Sequence, residues 1–476
     1  TNLQLGDETS VLSLLLFIQF FCRSVMIIFM KNKFLLLMAI AILFLLPSCS
    51  RHVKRARPAP NWVKNAVIYE VNIRQYTPEG TFDAFVEHLP RLQQMGIKIL
   101  WIMPVQPIGE TNRKGTLGSY YSIKDYYAIN PEFGTLDDFR ALVKNAHELG
   151  MYVIVDWVAN HSAFDCPLAS EHPEWYRHAQ DGSFISPYDW TDVIAFDYSN
   201  LHLRKYMTEA MKWWLKETSI DGFRCDVAGL IPVDFWEDTR KALDSIKPVF
   251  MLAEADTAAL MFNAFNAGYN WGLLDRMIRI YQGKIKANQI LAFIKKYPDS
   301  YPQGSFKMNF TSNHDINSWT DTEQELFGEA DLTMAVLTAT VPGMPLVYSG
   351  QEEPADKRLR FFDKDTIQFN NYSNQEFYRC LLELKKRNPA LWHGGNHDRI
   401  IPVQSSDSIH ALVFMRENKN NKILVVLNLS DQPLTLTITD KKAEGKYNEI
   451  FLNTSVNISR TEPLELQPWG YRVLEK

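Results

Sequence analysis

The residues best suited to chemistry in this chain are acidic side chains at the ends of short apolar segments. Asp226 stands in GFRCDVA, Glu254 in AEAD and Asp315 in TSNHD, and a fourth ending is DWVANH at residues 156–161. One aspartate in such a place usually caps a helix or holds a loop. Four such endings in one chain indicate a cluster of reactive groups.

Two of these carboxyl groups could divide the roles of a base and an acid. Arg224 stands two residues before Asp226, so both side chains point to the same side of a strand. A guanidinium there should lower the pKa of Asp226 and keep it ionised, whereas Glu254, shielded and near that anion, should have a raised pKa. Retaining glycoside hydrolysis needs this pairing. The spacing alone leaves a carboxylate metal site as an open alternative.

Alternating apolar and helical segments must position these side chains. We predict strands over residues 66–72, 97–105, 151–158, 222–228, 249–255, 267–271, 306–311 and 345–348. We predict helices over residues 82–95, 136–149, 201–218, 233–246, 287–296, 325–340 and 375–386, and a less clear eighth helix between residues 255 and 267. Eight strand–helix units favour an α/β fold with a closed (β/α)8 TIM barrel over a doubly wound sheet, and reactive groups of such barrels lie at the C-terminal ends of the strands.

Two segments depart from this alternation. Residues 162–200 are polar and rich in aromatics, which predicts a short inserted domain after strand 3 and divides the barrel into residues 61–161 and 201–393. Residues 396–476 alternate between apolar and polar positions without a helical pattern. They predict a C-terminal antiparallel β-sandwich domain.

Composition narrows the class of protein. The chain has 476 residues, of which 46% are hydrophobic, and a net charge of −5. This apolar fraction and small charge exclude a disordered protein. The 50 basic residues are outnumbered by 55 acidic ones and form no long stripe, so we expect no nucleic-acid partner.

The start of the chain has the pattern of an export signal. Lys31 and Lys33 precede an apolar stretch that ends in LPSC at Cys49, which describes a secretory signal peptide and resembles a bacterial lipoprotein signal. We therefore predict a leader over residues 1–49 with its true start at Met30, acylation of Cys49, and a membrane-anchored protein. The expected location is the periplasm or outer membrane of a Gram-negative bacterium. The basic, proline-containing residues 50–60 predict a tether.

The motifs, taken together, resemble those of a known enzyme family. DWVANH (156–161), GFRCD (222–226), Glu254 and NHD (313–315) resemble the short motifs of the α-amylase family, glycoside hydrolase family 13, and occur in the same order. DYYAINPEFGT (125–135) and PGMPLVYSGQE (342–352) match as well. The resemblance extends over nearly all of residues 61–476.

The resemblance implies a retaining hydrolase that cleaves α-glucosidic bonds, with α-1,4 bonds of starch or maltooligosaccharides as the expected target. Asp226 would be the nucleophile of a covalent glycosyl-enzyme intermediate and Glu254 the general acid and then base. Asp315 would hold the sugar hydroxyls and stabilise the transition state. The implied substrate-binding residues are Tyr121, His161, Arg224 and His314, and Asp156 would be structural. Trp157 and Trp190 would join Tyr121 at the sugar-binding mouth.

The sequence also departs from the family pattern. Gly229-Leu230 stands where many members carry a Lys-His pair, and Ala255-Asp256 follows the predicted acid. The chemistry needs no cofactor. A structural calcium ion could be held by oxygens of Asn160 and of carboxylates such as Asp192 or Asp165.

Two other functions are compatible with this resemblance. A glucosyltransferase would use the same residues and replace water with a sugar acceptor. A non-catalytic amylase-like carbohydrate-binding subunit would be expected to lose the carboxylates, and Asp226, Glu254 and Asp315 are all present. We therefore expect an enzyme whose partners are an α-glucan or maltooligosaccharide substrate and, through Cys49, a membrane.

Overall fold

The computed structural model describes residues 55–353 and 357–476. The predicted leader, its start at Met30 and the acylated Cys49 lie outside the described residues. Within the described ranges, no helix combines the length and the apolar character needed to cross a bilayer.

The last part of the predicted tether differs from the prediction. The Ala56 N–H donates to the Gln303 carbonyl at 2.8 Å, and the Arg57 guanidinium lies 2.6 Å from the Asp244 carboxylate. Residues 55–60 therefore lie against the barrel, because their backbone and basic side chains find partners there.

The first ten strands include the eight parallel strands of a closed barrel, as predicted. They are β1 (Ile68–Val71), β2 (Ile99–Ile102), β3 (Tyr152–Trp157), β4 (His161–Ala163), β5 (Val193–Ala195), β6 (Gly222–Cys225), β7 (Phe250–Ala253), β8 (Ala267–Tyr269), β9 (Phe306–Asn309) and β10 (Met344–Tyr348). All but β4 and β5 close the barrel in the order β1-β10-β9-β8-β7-β6-β3-β2. Strands β4 and β5 form an antiparallel pair in the inserted segment, with His161 opposite Ala195.

The helices follow the predicted alternation with local differences. They are α1 (Ile73–Tyr76), α2 (Phe82–Val86), α3 (Leu89–Met95), α4 (Leu136–Glu148), α5 (Pro167–Glu171), α6 (Leu201–Thr218), α7 (Val233–Asp244), α8 (Trp271–Tyr281), α9 (Ala287–Lys296), α10 (Glu323–Phe327), α11 (Asp331–Thr340) and α12 (Gln375–Arg387). The helix predicted over residues 82–95 is two helices, because Pro90 is tolerated only in a first turn and so begins α3. The helix predicted over residues 325–340 is interrupted at Gly328, whose φ is +47°. Helix α8 was not predicted.

Side chains along each barrel strand point alternately into the barrel and toward the surrounding helices. The reactive side chains are thereby separated from the apolar side chains under the helices. Arg224 lies between Phe223 and Cys225, which pack in the apolar layer under the helices. Because neighbouring strand residues point to opposite sides, Arg224 faces the barrel interior, where its guanidinium lies 5.0 Å from the Trp101 ring and 5.8 Å from the Tyr269 ring.

The C-terminal domain is built from eight antiparallel strands. They are β11 (Ile401–Pro402), β12 (Ala411–Asn418), β13 (Asn421–Asn428), β14 (Leu434–Leu436), β15 (Gly445–Glu449), β16 (Thr454–Ile458), β17 (Leu464–Leu466) and β18 (Tyr471–Glu475). Six form one sheet, and β14 pairs with β17 in a second. Leu424 and Val426 pack toward Leu436 and Leu466 of the small sheet, so the two sheets enclose a core as a sandwich does.

A buried ion pair joins the C-terminal sheet to the barrel. Arg416 of β12 donates to Asp398 at 2.7 Å and to the Thr340 carbonyl at 2.9 Å. The Arg416 side chain is fully buried and that of Asp398 is 9% exposed. Each charge therefore depends on the other for compensation.

Replacing Arg416 should destabilise the protein strongly. Arg416→Met leaves the Asp398 carboxylate buried without its cation, and we expect the free energy of unfolding to fall by about 3–5 kcal/mol. Arg460→Met, which removes an exposed pair with Glu444 (2.8 Å), should cost less than about 1 kcal/mol. Urea denaturation measures both variants, and equal losses would contradict the role of the buried pair.

Candidate active site

Five barrel strands, β2, β3, β6, β7 and β9, and the loops that follow them bring the predicted site residues to one rim. Tyr121, His161, Asp226, Glu254, His314 and Asp315 all line a single cavity of about 410 Å³. Arg224 lies beneath this cavity and is fully buried. The structure thus places all seven predicted catalytic and substrate-binding residues together.

Arg224 is the centre of the charge network below the cavity. Its Nη1 donates to both oxygens of Asp156, at 2.8 and 3.1 Å, and to Asp226 Oδ1 at 3.1 Å. Its Nη2 lies 3.0 Å from Glu254 Oε2. One guanidinium therefore holds three carboxyl groups that come from the ends of β3, β6 and β7. Asp156 is fully buried and holds Arg224 from below the cavity.

Burial dominates the ionisation of the two central carboxyl groups. Burial, followed by repulsion from Glu254, raises the pKa of Asp226 well above its usual range, although Arg224 opposes the rise. Burial also raises the pKa of Glu254, again against Arg224. An ionised Glu254 therefore makes the ionisation of Asp226 still less favourable.

The raised pKa of Glu254 agrees with the sequence prediction, whereas the predicted low pKa of Asp226 is wrong. Arg224 shares its single positive charge among Asp156, Asp226 and Glu254. Its effect on Asp226 alone is therefore smaller than the cost of removing that carboxylate from water.

A strained residue fixes Glu254. Val227, directly after Asp226, has a φ of +37°, a left-handed conformation that a β-branched residue rarely adopts. This conformation lets the Val227 N–H donate to Glu254 Oε2 at 2.6 Å. The strained residue thus follows one central carboxyl group, Asp226, and holds the other, Glu254, by a hydrogen bond.

His314 is held between two acceptors. Its Nδ1 lies 2.5 Å from Glu70 Oε1 and its Nε2 lies 2.8 Å from the Tyr121 hydroxyl. Tyr121 donates its own proton to Asp156 at 3.0 Å, so both His314 nitrogens act as donors. Burial alone would lower the pKa of His314, but Asp315 and Glu70 raise it to about 9. The ring is therefore an imidazolium at neutral pH.

Glu70 is a site residue that was not predicted from the sequence. It lies in β1, has no exposed surface, and carries a pKa that burial raises. A charged residue inside an otherwise apolar predicted strand was the signal that could have identified it, because a buried carboxylate needs a partner.

His161 has the opposite charge state from His314. Its Nδ1 lies 3.2 Å from the side-chain amide nitrogen of Asn160, and burial lowers the pKa of His161 to about 4. Nδ1 therefore accepts a hydrogen bond and Nε2 carries the proton of a neutral ring. Asp315 stands on the rim, with 36% of its side chain exposed and its Oδ1 3.5 Å from His314 Nε2.

The two predicted mouth tryptophans have different positions. Trp190 lines the cavity, and its ring centroid lies 5.4 Å from that of His161. Trp157 is fully buried, so its prediction is wrong. Asp156 faces the barrel interior to reach Arg224, and its strand neighbour Trp157 must therefore point outward, toward Phe223.

The predicted calcium ligands do not fit one site. Asp192 lies 3.2 Å from the ammonium of Lys114, and Asp165 lies 3.1 Å from that of Lys124. Asn160 lines a separate cavity together with two arginines. Across the described part of the chain, no group of three or more His, Cys, Asp or Glu side chains is arranged around a common point.

The cavity also has aromatic residues that the sequence analysis did not single out. Trp319, Phe361 and Phe362 line it together with Lys114. The adjacent phenylalanines in a long polar segment were a detectable signal, but only the folded loops show that they reach the site.

The ionisation of His314 tests this network directly. In Glu70→Gln the carboxylate beside Nδ1 is lost, so the pKa of His314 should fall from about 9 by at least about one unit. Imidazole NMR titration measures this change. Glu174→Gln, which removes the exposed partner of His172, should leave the His314 signals unchanged. A His314 that is neutral at pH 7 in the unaltered protein would contradict the assignment.

Two family models match most of the described residues. The family "Alpha amylase, catalytic domain" matches residues 55–192 and 169–400, and "Maltogenic Amylase, C-terminal domain" matches residues 403–473. The chain is 28% identical to the alpha-amylase MalA of Haloarcula japonica over 404 residues, which is 80% of this chain and 58% of that protein. It therefore spans less than two thirds of that relative.

Two solved structures are similar over most of their length. A noncanonic maltogenic alpha-amylase, AmyB from Thermotoga neapolitana, superposes with a TM-score of 0.79 at 32% identity, covering 87% of this chain and 99% of that one. An alpha-amylase from Lactobacillus plantarum superposes with a TM-score of 0.78 at 29% identity and the same coverage. The chain therefore belongs to the α-amylase family of glycoside hydrolases.

Proposed function

We propose that this protein hydrolyses α-1,4-glucosidic bonds of starch or maltooligosaccharides with retention of configuration, through a covalent glycosyl-enzyme intermediate. The observation that carries the proposal is the pair of carboxyl groups, Asp226 and Glu254, which follow neighbouring strands, share Arg224 and face one cavity. The amylase names of the relatives support an α-glucan as the substrate.

In the first step the pair supplies a nucleophile and a proton. In the form of the pair that carries its one proton on Glu254, the ionised Asp226 attacks the anomeric carbon and forms an ester bond as the bond from that carbon to the glycosidic oxygen breaks. Glu254 donates its proton to the departing oxygen. The raised pKa of Glu254 suits a general acid at neutral pH.

In the second step Glu254 acts as a base. It takes a proton from water, the water oxygen attacks the anomeric carbon, and the ester bond to Asp226 breaks. The His314 imidazolium and the neutral His161 both line the cavity, where they can donate to sugar hydroxyls. Asp315 accepts from the same sugar, and these contacts strengthen in the distorted transition state.

A glucosyltransferase is the second candidate, and the exposed surface beside the turn that follows Asp226 favours it. Leu230, in place of the histidine of many relatives, is 48% exposed, and Tyr188 is 71% exposed. Both border a cavity of about 640 Å³. An aromatic and apolar surface there could seat a sugar acceptor that competes with water.

Product analysis tests both candidates. Proton NMR of maltooligosaccharide cleavage should show the α-anomer first, because two displacements restore the original configuration. Asp226→Asn should lower turnover by at least about a thousandfold without unfolding the protein. An initial β-anomer would contradict retention, and products longer than the substrate would favour the transferase.

We also propose that the protein is a lipoprotein anchored through Cys49 on the periplasmic side of the inner membrane or on the outer membrane. The support is the lipoprotein-like signal of residues 31–49. Growth with a labelled fatty acid should label the wild-type protein and not Cys49→Ser. Equal labelling of the two, or none in the wild type, would contradict the anchor.

A further inference from the structure

Two loops on the barrel rim are joined beside the active-site cavity. Thr116, in the loop after β2, donates from its N–H and its hydroxyl to Asp363 Oδ1, at 2.9 and 2.6 Å. Asp363 belongs to the loop after β10. The Leu117 N–H also donates to the Phe362 carbonyl at 2.9 Å. We call these contacts the rim bridge.

A glycine permits the close approach of the two loops. Gly115 has a φ of +62°, and a Cβ atom on it would lie 2.5 Å from the Phe362 Cβ. A side chain at this position would therefore clash with the opposite loop and would need a left-handed backbone. The rim bridge therefore depends on the glycine at position 115 as well as on its hydrogen bonds.

The inner face of the rim bridge is an aromatic wall. Trp319, Phe361 and Phe362 contact one another, with ring centroids 5.0, 5.6 and 5.1 Å apart. All three line the cavity that contains Asp226 and Glu254. Lys114, held by Asp192, lines the same side of the bridge. The aromatic wall therefore forms one side of the active-site cavity.

The wall stands on the sugar-holding side of the site. The Phe361 ring is nearly parallel to that of Tyr121, at 6.2 Å and 10°, and Tyr121 is bonded to His314. Trp319 lies in the short helical turn Ile316–Thr320 that follows Asp315. Glu254, which protonates the leaving group, follows β7. In the barrel order β7 lies three strands away from both β2 and β10, across the mouth from the bridge.

We propose that the rim bridge and its aromatic wall close the donor end of the site, so that the enzyme accepts a glucan chain by its free non-reducing end and releases a short product of fixed length. This inference rests on the proposed function, because the roles of Glu254 and His314 define the donor side. The acceptor side, where Leu230 and Tyr188 are exposed, leaves room for the rest of the chain.

A capped substrate tests the inference. One maltooligosaccharide carries a fluorophore at its reducing end, and a second carries in addition a benzylidene cap on its non-reducing terminal glucose. The wild type should cleave the capped chain at least about tenfold more slowly than the free one, because the cap meets the wall. Chromatography should show one short product from the free chain at early times.

Two variants test whether the aromatic wall causes the slower cleavage of the capped chain. Asp363→Ala removes the acceptor of both Thr116 bonds, and Trp319→Ala removes part of the wall. Each should raise the capped-to-free rate ratio about tenfold. Asp181→Ala is the matched control, since Asp181 makes the same pair of bonds, to the N–H and hydroxyl of Ser183, within a single exposed loop. It should leave the ratio unchanged.

The outcomes separate this inference from the proposed function. Equal cleavage of the free and capped chains by the wild type would overturn the closed donor end while leaving hydrolysis established. If neither Asp363→Ala nor Trp319→Ala reduces the difference in cleavage rate between the free and capped chains, the role of the wall is overturned. Cleavage of neither chain would contradict the proposed function and, with it, the inference.

Discussion

The site depends on one buried cation. Arg224 lies inside the barrel without exposed surface, where an uncompensated guanidinium would be strongly destabilising. Its partners Asp156, Asp226 and Glu254 follow or end β3, β6 and β7, which are adjacent in the barrel. The strand order and the charge network therefore support each other, since this cation cannot be buried unless these strands are neighbours.

The same network gives similar side chains different charge states. His314 lies between the Glu70 carboxylate and the Tyr121 hydroxyl and is protonated, whereas His161 accepts from the Asn160 amide and is neutral. Asp226 and Glu254 are both buried, and each resists ionisation of the other. Burial of this pair thus favours keeping the proton that the first step of the reaction needs.

The barrel and its reactive residues could be predicted because they depend on local patterns. Apolar segments of strand length end in Asp226, Glu254 and NHD (313–315), and parallel strands bring their ends to one rim. Other features depend on contacts between distant segments, which local patterns do not contain. Glu70 finds His314 across 244 positions of the chain, and the rim bridge spans 247. The wrong pKa direction for Asp226 has the same origin, because the sharing of Arg224 and the depth of burial are tertiary properties.

Trapping the reaction intermediate tests the central claim that Arg224 positions Asp226 as the nucleophile. A fluorinated α-glucosyl fluoride reacts quickly in the first step and slowly in the second, so the sugar accumulates on the enzyme. Digestion and mass spectrometry then locate it. We expect one added sugar on Asp226 in the wild type and a much slower accumulation in Arg224→Met. A sugar attached to Glu254 or Asp315, or none attached while turnover continues, would contradict it.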